Sequence, residues 1–378
     1  MKSELFKSIN RMKTCCQMLL FLFVISESAG AVLHTNNSLA NDEPYHFRSN
    51  INQIEYSISV NLPNNYDENS AGGYPVLYVL DGQWDFNLMV SLYHNLRFDN
   101  AIPDIIIVGI AYYGQNANYD SLRIVDMIPV KDYSAAGTGN RARFLEVLKK
   151  EIIPYVDDNY ATNRLERGIS GTSLAGFYAY YLMFQANDLF NGFIAVNPYL
   201  LWSKEVSFQI EHDYSMKNNN LNARVYMTTG EFDISDVFFK MTHQIKSRSY
   251  AGIDFDYAFQ KGIGHTGSKH DGYSRGLIHL FKQKTMNLGS DYLEKYAGTY
   301  LSESRDTVNV VLDGENLVIQ KSKTVPFDLK LYTLPDSSFC AAQNYVPFYL
   351  KEIPGKHIYE FSYDGFLHQM KASKAIAK

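Results

Sequence analysis

The chain has 378 residues, 46% of them hydrophobic and 20% charged, with a formal net charge of −5. That length admits two domains, one of them with a substantial buried core, and the composition is that of a soluble globular protein. The acidic balance offers no basic surface for neutralising phosphates, so nucleic acid is excluded as an expected partner.

In chain order, residues 1–31 read as a cleavable secretory signal. Lys2, Lys7, Arg11 and Lys13 precede one apolar run, CCQMLLFLFVIS, which ends near Ala29-Gly30-Ala31. That is a basic segment, an apolar segment and a small-residue cleavage site in the required order. The run is shorter than the roughly 20 residues that a membrane span needs, so no stable membrane insertion is expected after cleavage. The mature protein is expected to be periplasmic or secreted. Cys15 and Cys16 leave with the signal and Cys340 remains alone, which allows no intramolecular disulfide.

From about Ile54 to Lys284 apolar strands alternate with amphipathic helices. This pattern predicts an α/β fold, a doubly wound and mostly parallel sheet covered on both faces. EYSISVNLP (55–63) alternates and is expected to be an antiparallel edge strand. YPVLYVLDG (74–82), DIIIVGIAY (104–112), RGISG (167–171), FNGFIAVNP (190–198), ARVYMTTG (223–230) and IDFDYAFQKG (253–262) read as buried or half-buried strands. RFLEVLKKEIIPYVDDNY places Phe144, Leu148, Ile152 and Val156 on one helical stripe, with a kink or an early end expected at Pro154. The stretch from Tyr113 to Asn140 has no period and is expected to be a long loop that walls the substrate. After Lys284, short alternating runs broken by Asp-Gly and Pro-Gly turns predict a small antiparallel β domain without further helices. The expected division is therefore a signal at 1–31, an α/β domain at 32–285 and an accessory β domain at 286–378.

Within the α/β region, RGISGTSLAGFYAYYLMF (167–184) passes from a strand to a helix at Ser173. A nucleophilic serine needs an exposed hydroxyl, a base, and donors aimed at the oxyanion. A tight strand-serine-helix turn supplies the first, and it tolerates only small residues two positions before and after the serine. Gly171 and Ala175 meet that condition, although Ala175 departs from the more usual glycine. The motif alone is weak; its place at a strand-to-helix junction gives it weight. In this arrangement an acid follows at the end of a later strand, and a histidine follows the acid. GEFDISD offers Glu231, Asp233 and Asp236, of which Asp233 is favoured and Glu231 is second. His265, in the glycine-rich loop after the next strand, is favoured over His270 as the base. The same loop satisfies Gly-x-Gly-x-x-Gly at Gly262, Gly264 and Gly267, but no βαβ unit follows, and a dinucleotide reading is rejected. A metal site at His265, His270 and Asp271 has no supporting cluster. The backbone N–H groups of Leu174 and Gln83 are the expected oxyanion donors, with Gly82 letting the LDGQWDF loop approach.

Several of these segments together resemble one known group. YPVLYVLDGQWDF, the spaced Arg123, Asp126 and Pro129, RGISGTSLAG, NPYLLW and GIGHTGS are similar to the putative-esterase branch of the α/β hydrolases, which includes esterase D-like and enterochelin esterase-like enzymes. The resemblance covers roughly residues 46–284 and implies Ser173 as nucleophile, His265 as base and Asp233 as acid. The tail is similar, more loosely, to lipocalin-like β domains appended to other secreted serine hydrolases. The function expected from residues and resemblance together is a secreted serine esterase acting through an acyl-enzyme. It implies no cofactor and no metal, and its substrate is a small-molecule or polysaccharide-linked ester. Trp84, Tyr112, Tyr113, Arg123 and Trp202, with Tyr119, are the expected substrate-binding residues, although buried aromatics of this kind can equally be core. An acyltransferase using the same triad and a non-catalytic binding protein on the same fold are the competing readings.

Overall fold

A computed structural model describes the chain from residue 43 onward, apart from 99–100, 129–130, 132–137, 140, 283–284, 303–304, 306, 323–327, 334–338, 342–347, 354–357, 365–368 and 376–378. The signal expected at 1–31 lies outside the described residues.

Eight strands form the first sheet: β1 (Tyr45–Arg48), β2 (Glu55–Asn61), β3 (Tyr74–Val79), β4 (Ile106–Tyr112), β5 (Thr162–Thr172), β6 (Gly192–Val196), β7 (Asn220–Gly230) and β8 (Ala251–Gln260). Their order is β1-β2-β4-β3-β5-β6-β7-β8. From β4 to β8 every pairing is parallel, while β1 with β2 and β2 with β4 are antiparallel. The expected mostly parallel sheet is therefore present. EYSISV is antiparallel as expected, but it is not the edge. The four residues of β1 take that place, in a run too short to register as a sequence pattern.

The two-residue period of the strands sends alternate side chains to opposite faces. Val76 and Tyr78 of β3 pack on one side with Phe144, Phe177 and Phe238, and Leu77 and Val79 pack on the other with Phe86, Tyr93, Tyr273 and Leu280. The second face is covered by α1 (Gly82–Phe98) and, as a later helix, Lys269–Phe281. The first face is covered by α2 (Tyr119–Met127), α3 (Arg141–Val147), α4 (Ile153–Asn159), α5 (Leu174–Gln185), α6 (Trp202–Ser215) and α7 (Ser235–Arg248); Lys269–Phe281 is α8. Every residue of α5 from Leu174 to Phe184 is buried, which places the helix after Ser173 at the centre of the core.

Three sequence expectations are corrected. LDGQWDF is not an open loop, because α1 begins at Gly82. The stretch 113–140 contains helix α2, capped by Asn118, whose side chain accepts the Ser121 N–H at 3.0 Å. A polar cap and a two-turn apolar face are too short to stand out among the surrounding polar residues. The early helix end expected at Pro154 does not occur; the irregularity there is a wide π turn, Leu148–Ile152, through which α3 runs into α4 and in which Ile153 N–H reaches Leu148 O. A widened turn absorbs the donor that proline lacks.

A second, wholly antiparallel sheet follows. Its strands are β9 (Gly298–Ser302), β10 (Thr307–Asp313), β11 (Asn316–Ile319), β12 (Leu329–Thr333), β13 (Phe339–Ala341), β14 (Phe348–Ile353), β15 (Ile358–Asp364) and β16 (Gln369–Ala375), in the order β13-β12-β11-β10-β9-β16-β15-β14. Asp313 pairs with Asn316 across a two-residue turn at Gly314, φ 60°, as the Asp-Gly signal predicts. The sheet has its own core around Tyr296, Tyr300, Val310, Leu317 and Leu331. The expected absence of helix after 286 is corrected: SDYL forms a short helix, α9 (Ser290–Leu293), and EKY (Glu294–Tyr296) a 3-10 turn before β9. Among the described residues no helix is long and apolar enough to cross a membrane.

Candidate active site

Strand β5 ends at Thr172 and helix α5 begins at Leu174, so Ser173 alone makes the turn. Its backbone sits at φ 61° and ψ −117°, a region that L-residues avoid and that persists only where surrounding bonds enforce it. Here Ser173 N–H bonds Val196 O at 2.9 Å, and Ser173 O accepts from Phe177 at 2.8 Å and from Tyr199 at 3.0 Å. The small-residue requirement has a direct geometric cause. A Cβ on Gly171 would lie 2.5 Å from the carbonyl carbon of Ala175, and one on Gly176 would lie 2.9 Å from Val196 O. The methyl of Ala175 is accommodated, so the turn forms without glycine at that position.

Acid and base come from the ends of the next strands. After β7, a tight turn carries Asp233, whose N–H bonds Gly230 O at 3.2 Å and whose Oδ1 accepts the Ile234 N–H at 2.7 Å. After β8, the loop to α8 carries His265, and its Nδ1 lies 2.5 Å from Asp233 Oδ2. The loops approach closely because Gly230 lacks a side chain; a Cβ there would be 2.7 Å from Ile263 O. Burial pushes the Asp233 carboxyl up, but the hydrogen bonds from His265 and Ile234 outweigh it and hold it below the ordinary carboxylate range. An ionised carboxylate can only accept, so Nδ1 must carry the proton, and in the neutral ring Nε2 is left as the acceptor. Glu231 is turned elsewhere, its Oε2 accepting the Gly262 N–H at 2.6 Å. Asp236 falls in the first turn of α7, and His270 is an exposed residue in the first turn of α8.

The oxyanion candidates lie at two helix starts. Strands β3 and β5 are neighbours, with Val79 opposite Ser170 and Leu80 N–H bonded to Ser170 O at 2.9 Å. Helices α1 and α5 therefore begin from adjacent strand ends, and the N–H groups of Gln83 and Leu174 lie in first turns, where a helix has no acceptor for them. The first turn of α1 is held from two sides. Asp81, with φ 52° and 3% exposure, accepts a fork from Arg123 of α2, with Nε to Oδ1 at 3.2 Å and a second bond from the same guanidinium to Oδ2. Burial lifts the Asp81 carboxyl to about 6, and Arg123 opposes that rise. Asp85, 1% exposed, accepts from Lys269 Nζ at 2.6 Å and from Tyr273 OH, which in turn meets Thr172 Oγ1 at 2.6 Å. This chain ties the start of α1 to α8 and to the residue before Ser173.

The expected substrate residues separate into two groups. Trp84 and Tyr113 are about half exposed; Trp84 lies under the Arg123 guanidinium at 5.2 Å and edge-on to Tyr119 at 6.1 Å, and Tyr113 stacks on His46 at 3.7 Å. Arg123 is engaged by Asp81, and its side chain is only 16% exposed. Tyr112 is buried against Tyr56 and belongs to the core, which corrects its expected place on the substrate side. Trp202 packs edge-on to Tyr199 at 6.0 Å. Exposed Tyr199 and Phe232, beyond the ends of β6 and β7, were not singled out from the sequence. Nor were Asp85 and Lys269, which are 184 residues apart and leave no local pattern.

The family described as "Putative esterase" matches residues 49–247, just over half of the chain. The chain belongs to that family. This esterase is 22% identical over 216 residues to ferri-bacillibactin esterase BesA of Bacillus subtilis (strain 168), an alignment covering 51% of this chain and 74% of BesA. Among solved structures it is similar to the BES protein from Bacillus cereus, with TM-score 0.58 and 20% identity over 68% of this chain and 98% of that one. It is also similar to an IroE-like serine hydrolase from Shewanella oneidensis, with TM-score 0.56 and 23% identity over 63% and 79% of the two chains. These likenesses establish the α/β-hydrolase fold, and the family establishes the esterase as an enzyme of the serine ester hydrolase class. The matched segment includes Gln83, Ser173 and Asp233 and ends before His265.

Proposed function

We propose that the esterase hydrolyses carboxylic esters through Ser173, His265 and Asp233, as a secreted or periplasmic enzyme. The observation that carries this reading is the Asp233–His265 pair, which follows the C-terminal ends of β7 and β8 as the strained turn at Ser173 follows that of β5. Asp233 holds Nδ1–H, and Nε2 takes the Ser173 proton as Oγ attacks the ester carbonyl. The N–H groups of Leu174 and Gln83 receive the developing oxyanion, which the dipole of α5 also favours. Collapse expels the alcohol, which takes its proton from His265, and leaves an acyl-Ser173. Water then attacks the acyl group, giving up a proton to Nε2, and the acid product departs as Ser173 is restored.

The substrate class is a small-molecule ester. BesA acts, by its name, on ferri-bacillibactin, and the exposed Trp84, Tyr113, Tyr199 and Phe232 suit an ester with aromatic groups, so a siderophore ester is the favoured substrate. The test is hydrolysis of p-nitrophenyl acetate and butyrate by the mature enzyme and by Ser173→Ala, with phosphonate labelling read by intact mass. Loss of label and a fall of about 10^4-fold or more in rate are expected for the variant. Wild type and variant equally inert and unlabelled would overturn the reading. Export is tested by N-terminal sequencing of the mature protein, which is expected to begin at Val32.

A further inference from the structure

Asn197, immediately after the end of β6, bonds the loops that carry Asp233 and His265, and its chain neighbours Val196 and Tyr199 bond the Ser173 turn. Strand β6 lies between β5 and β7 in the sheet, so the residue that leaves it stands between the serine turn and the acid turn. Its side chain is 4% exposed and both polar atoms are used. Oδ1 accepts the Gly230 N–H at 2.9 Å, at the base of the acid turn. Nδ2 donates to the carbonyl of His265 at 2.6 Å and to Ser268 Oγ. The Ser268 hydroxyl itself donates to His265 O at 3.0 Å, so two donors meet on that one carbonyl. Along the backbone, Asn197 N–H bonds Thr228 O at 2.7 Å, Val196 O accepts the Ser173 N–H, and Tyr199 N–H bonds Ser173 O.

The side chain required here is narrowly defined. It must accept with one terminal atom and donate with the other, which an amide does and a carboxylate, hydroxyl or alkyl group does not. It must also tolerate φ 42°, where asparagine is enriched. Gln has the right amide but is one methylene longer at a position that is 4% exposed.

The geometry points to Asn197 as a positioning residue: it fixes the backbone of His265 against both the Ser173 turn and the Asp233 turn, and so sets the distance across which the proton moves. This inference rests on the roles proposed above for Ser173, His265 and Asp233. Asn197 acts through His265 and makes no contact with the ester. A residue present only for its left-handed backbone would be replaced without loss by glycine, and that difference separates the two roles.

The experiment uses the mature full-length enzyme, Asn197→Gly and Asn197→Asp. The readouts are kcat and KM on p-nitrophenyl butyrate, the pH–rate profile, and the low-field proton resonance of the His265 Nδ1–H held by Asp233. Glycine keeps the backbone conformation and removes the side-chain bonds. The expected result is a folded Asn197→Gly with kcat lower by about 10- to 100-fold at nearly unchanged KM, since a reacting group misplaced by about 1 Å costs about 100-fold. Its low-field resonance is expected to broaden or vanish. Asn197→Asp keeps the acceptor for Gly230 but sets a carboxylate against the His265 carbonyl, and its kcat is expected at or below that of the glycine variant. Asn197→Gly with wild-type kcat, pH profile and resonance would overturn the inference. Should the wild type be inert and unlabelled, the proposed function fails, while the resonance still decides the role of Asn197: lost in the variant it supports positioning, and kept it refutes it.

Discussion

Asp126 gives this esterase a pH-dependent stability that can be worked from its surroundings. The carboxyl sits on α2, 2% exposed, with Oδ2 accepting from Tyr56 OH at 2.6 Å and Oδ1 from Asn52 Nδ2 at 3.2 Å. Among the described residues no cation forms an ion pair with it. Burial pushes it up to about 7, against the hydrogen bonds from Tyr56 and Asn52 that favour the charged form. In the unfolded chain an aspartate titrates near 4. Between these values the folded state binds more protons than the unfolded state, so stability falls as pH rises, by up to about 1.36 kcal/mol per pH unit. The contribution is fully present below pH ~4 and is lost as pH passes ~7. The linkage relation gives a loss of about 2.5 kcal/mol between pH 5 and pH 8 from this one group. Asp126→Asn replaces it with a neutral side chain of the same shape, so the variant should lack this component. The assay is urea unfolding of wild type and Asp126→Asn at pH 5 and pH 8, followed by tyrosine and tryptophan fluorescence. The stability of the variant relative to wild type should rise by about 2.5 kcal/mol across that interval. Parallel pH slopes, agreeing within about 0.5 kcal/mol, would refute the account, because Asp126 would then be ionised at little cost in the core.

Three further outcomes follow from the site. Asp233→Asn should lower kcat by about 10^4-fold, since an amide facing His265 selects the wrong ring tautomer, while Glu231→Gln should leave kcat within about threefold because Glu231 is turned to the Gly262 N–H; p-nitrophenyl butyrate kinetics on both variants distinguish the two acids. Gly171→Ala should destabilise the fold by about 1–3 kcal/mol and abolish phosphonate labelling, because the new methyl meets the Ala175 backbone at 2.5 Å; wild-type labelling and Tm would count against the close-packed turn. Lys269→Met should cost about 3–5 kcal/mol in urea unfolding, because it leaves the buried Asp85 carboxylate without its cation, and the double variant Asp85→Asn, Lys269→Met should recover part of that loss.

Much of the fold was legible because it follows from local patterns. The six parallel strands all appear near their expected places, β3 to β7 because a strand buried on both faces cannot be polar, and the edge strand β8 because Asp254 and Asp256 alternate with apolar residues. Gly171 and Ser173 identified a turn because steric exclusion at a strand-to-helix junction acts within five residues. Features set by distant partners were not legible. Helix α2 is held by the contacts of Met127 and Asp126 with the sheet more than by its own propensity, and its sequence looked like a loop. Tyr112 and Tyr113 are adjacent tyrosines at the end of β4, and only the pleat sends one into the core and the other to the surface.

The sequence by itself determined the alternation of strands and helices, the antiparallel tail and the order of Ser173, Asp233 and His265, because periodicity, turn chemistry and chain order are written in neighbouring residues. Only the tertiary structure decided that Asp233 and not Glu231 meets His265, and that Asn197 and Asp85 bind the loops around them. Those contacts join residues from 32 to 188 positions apart, and their partners are selected by where the strand ends converge, which no local pattern records.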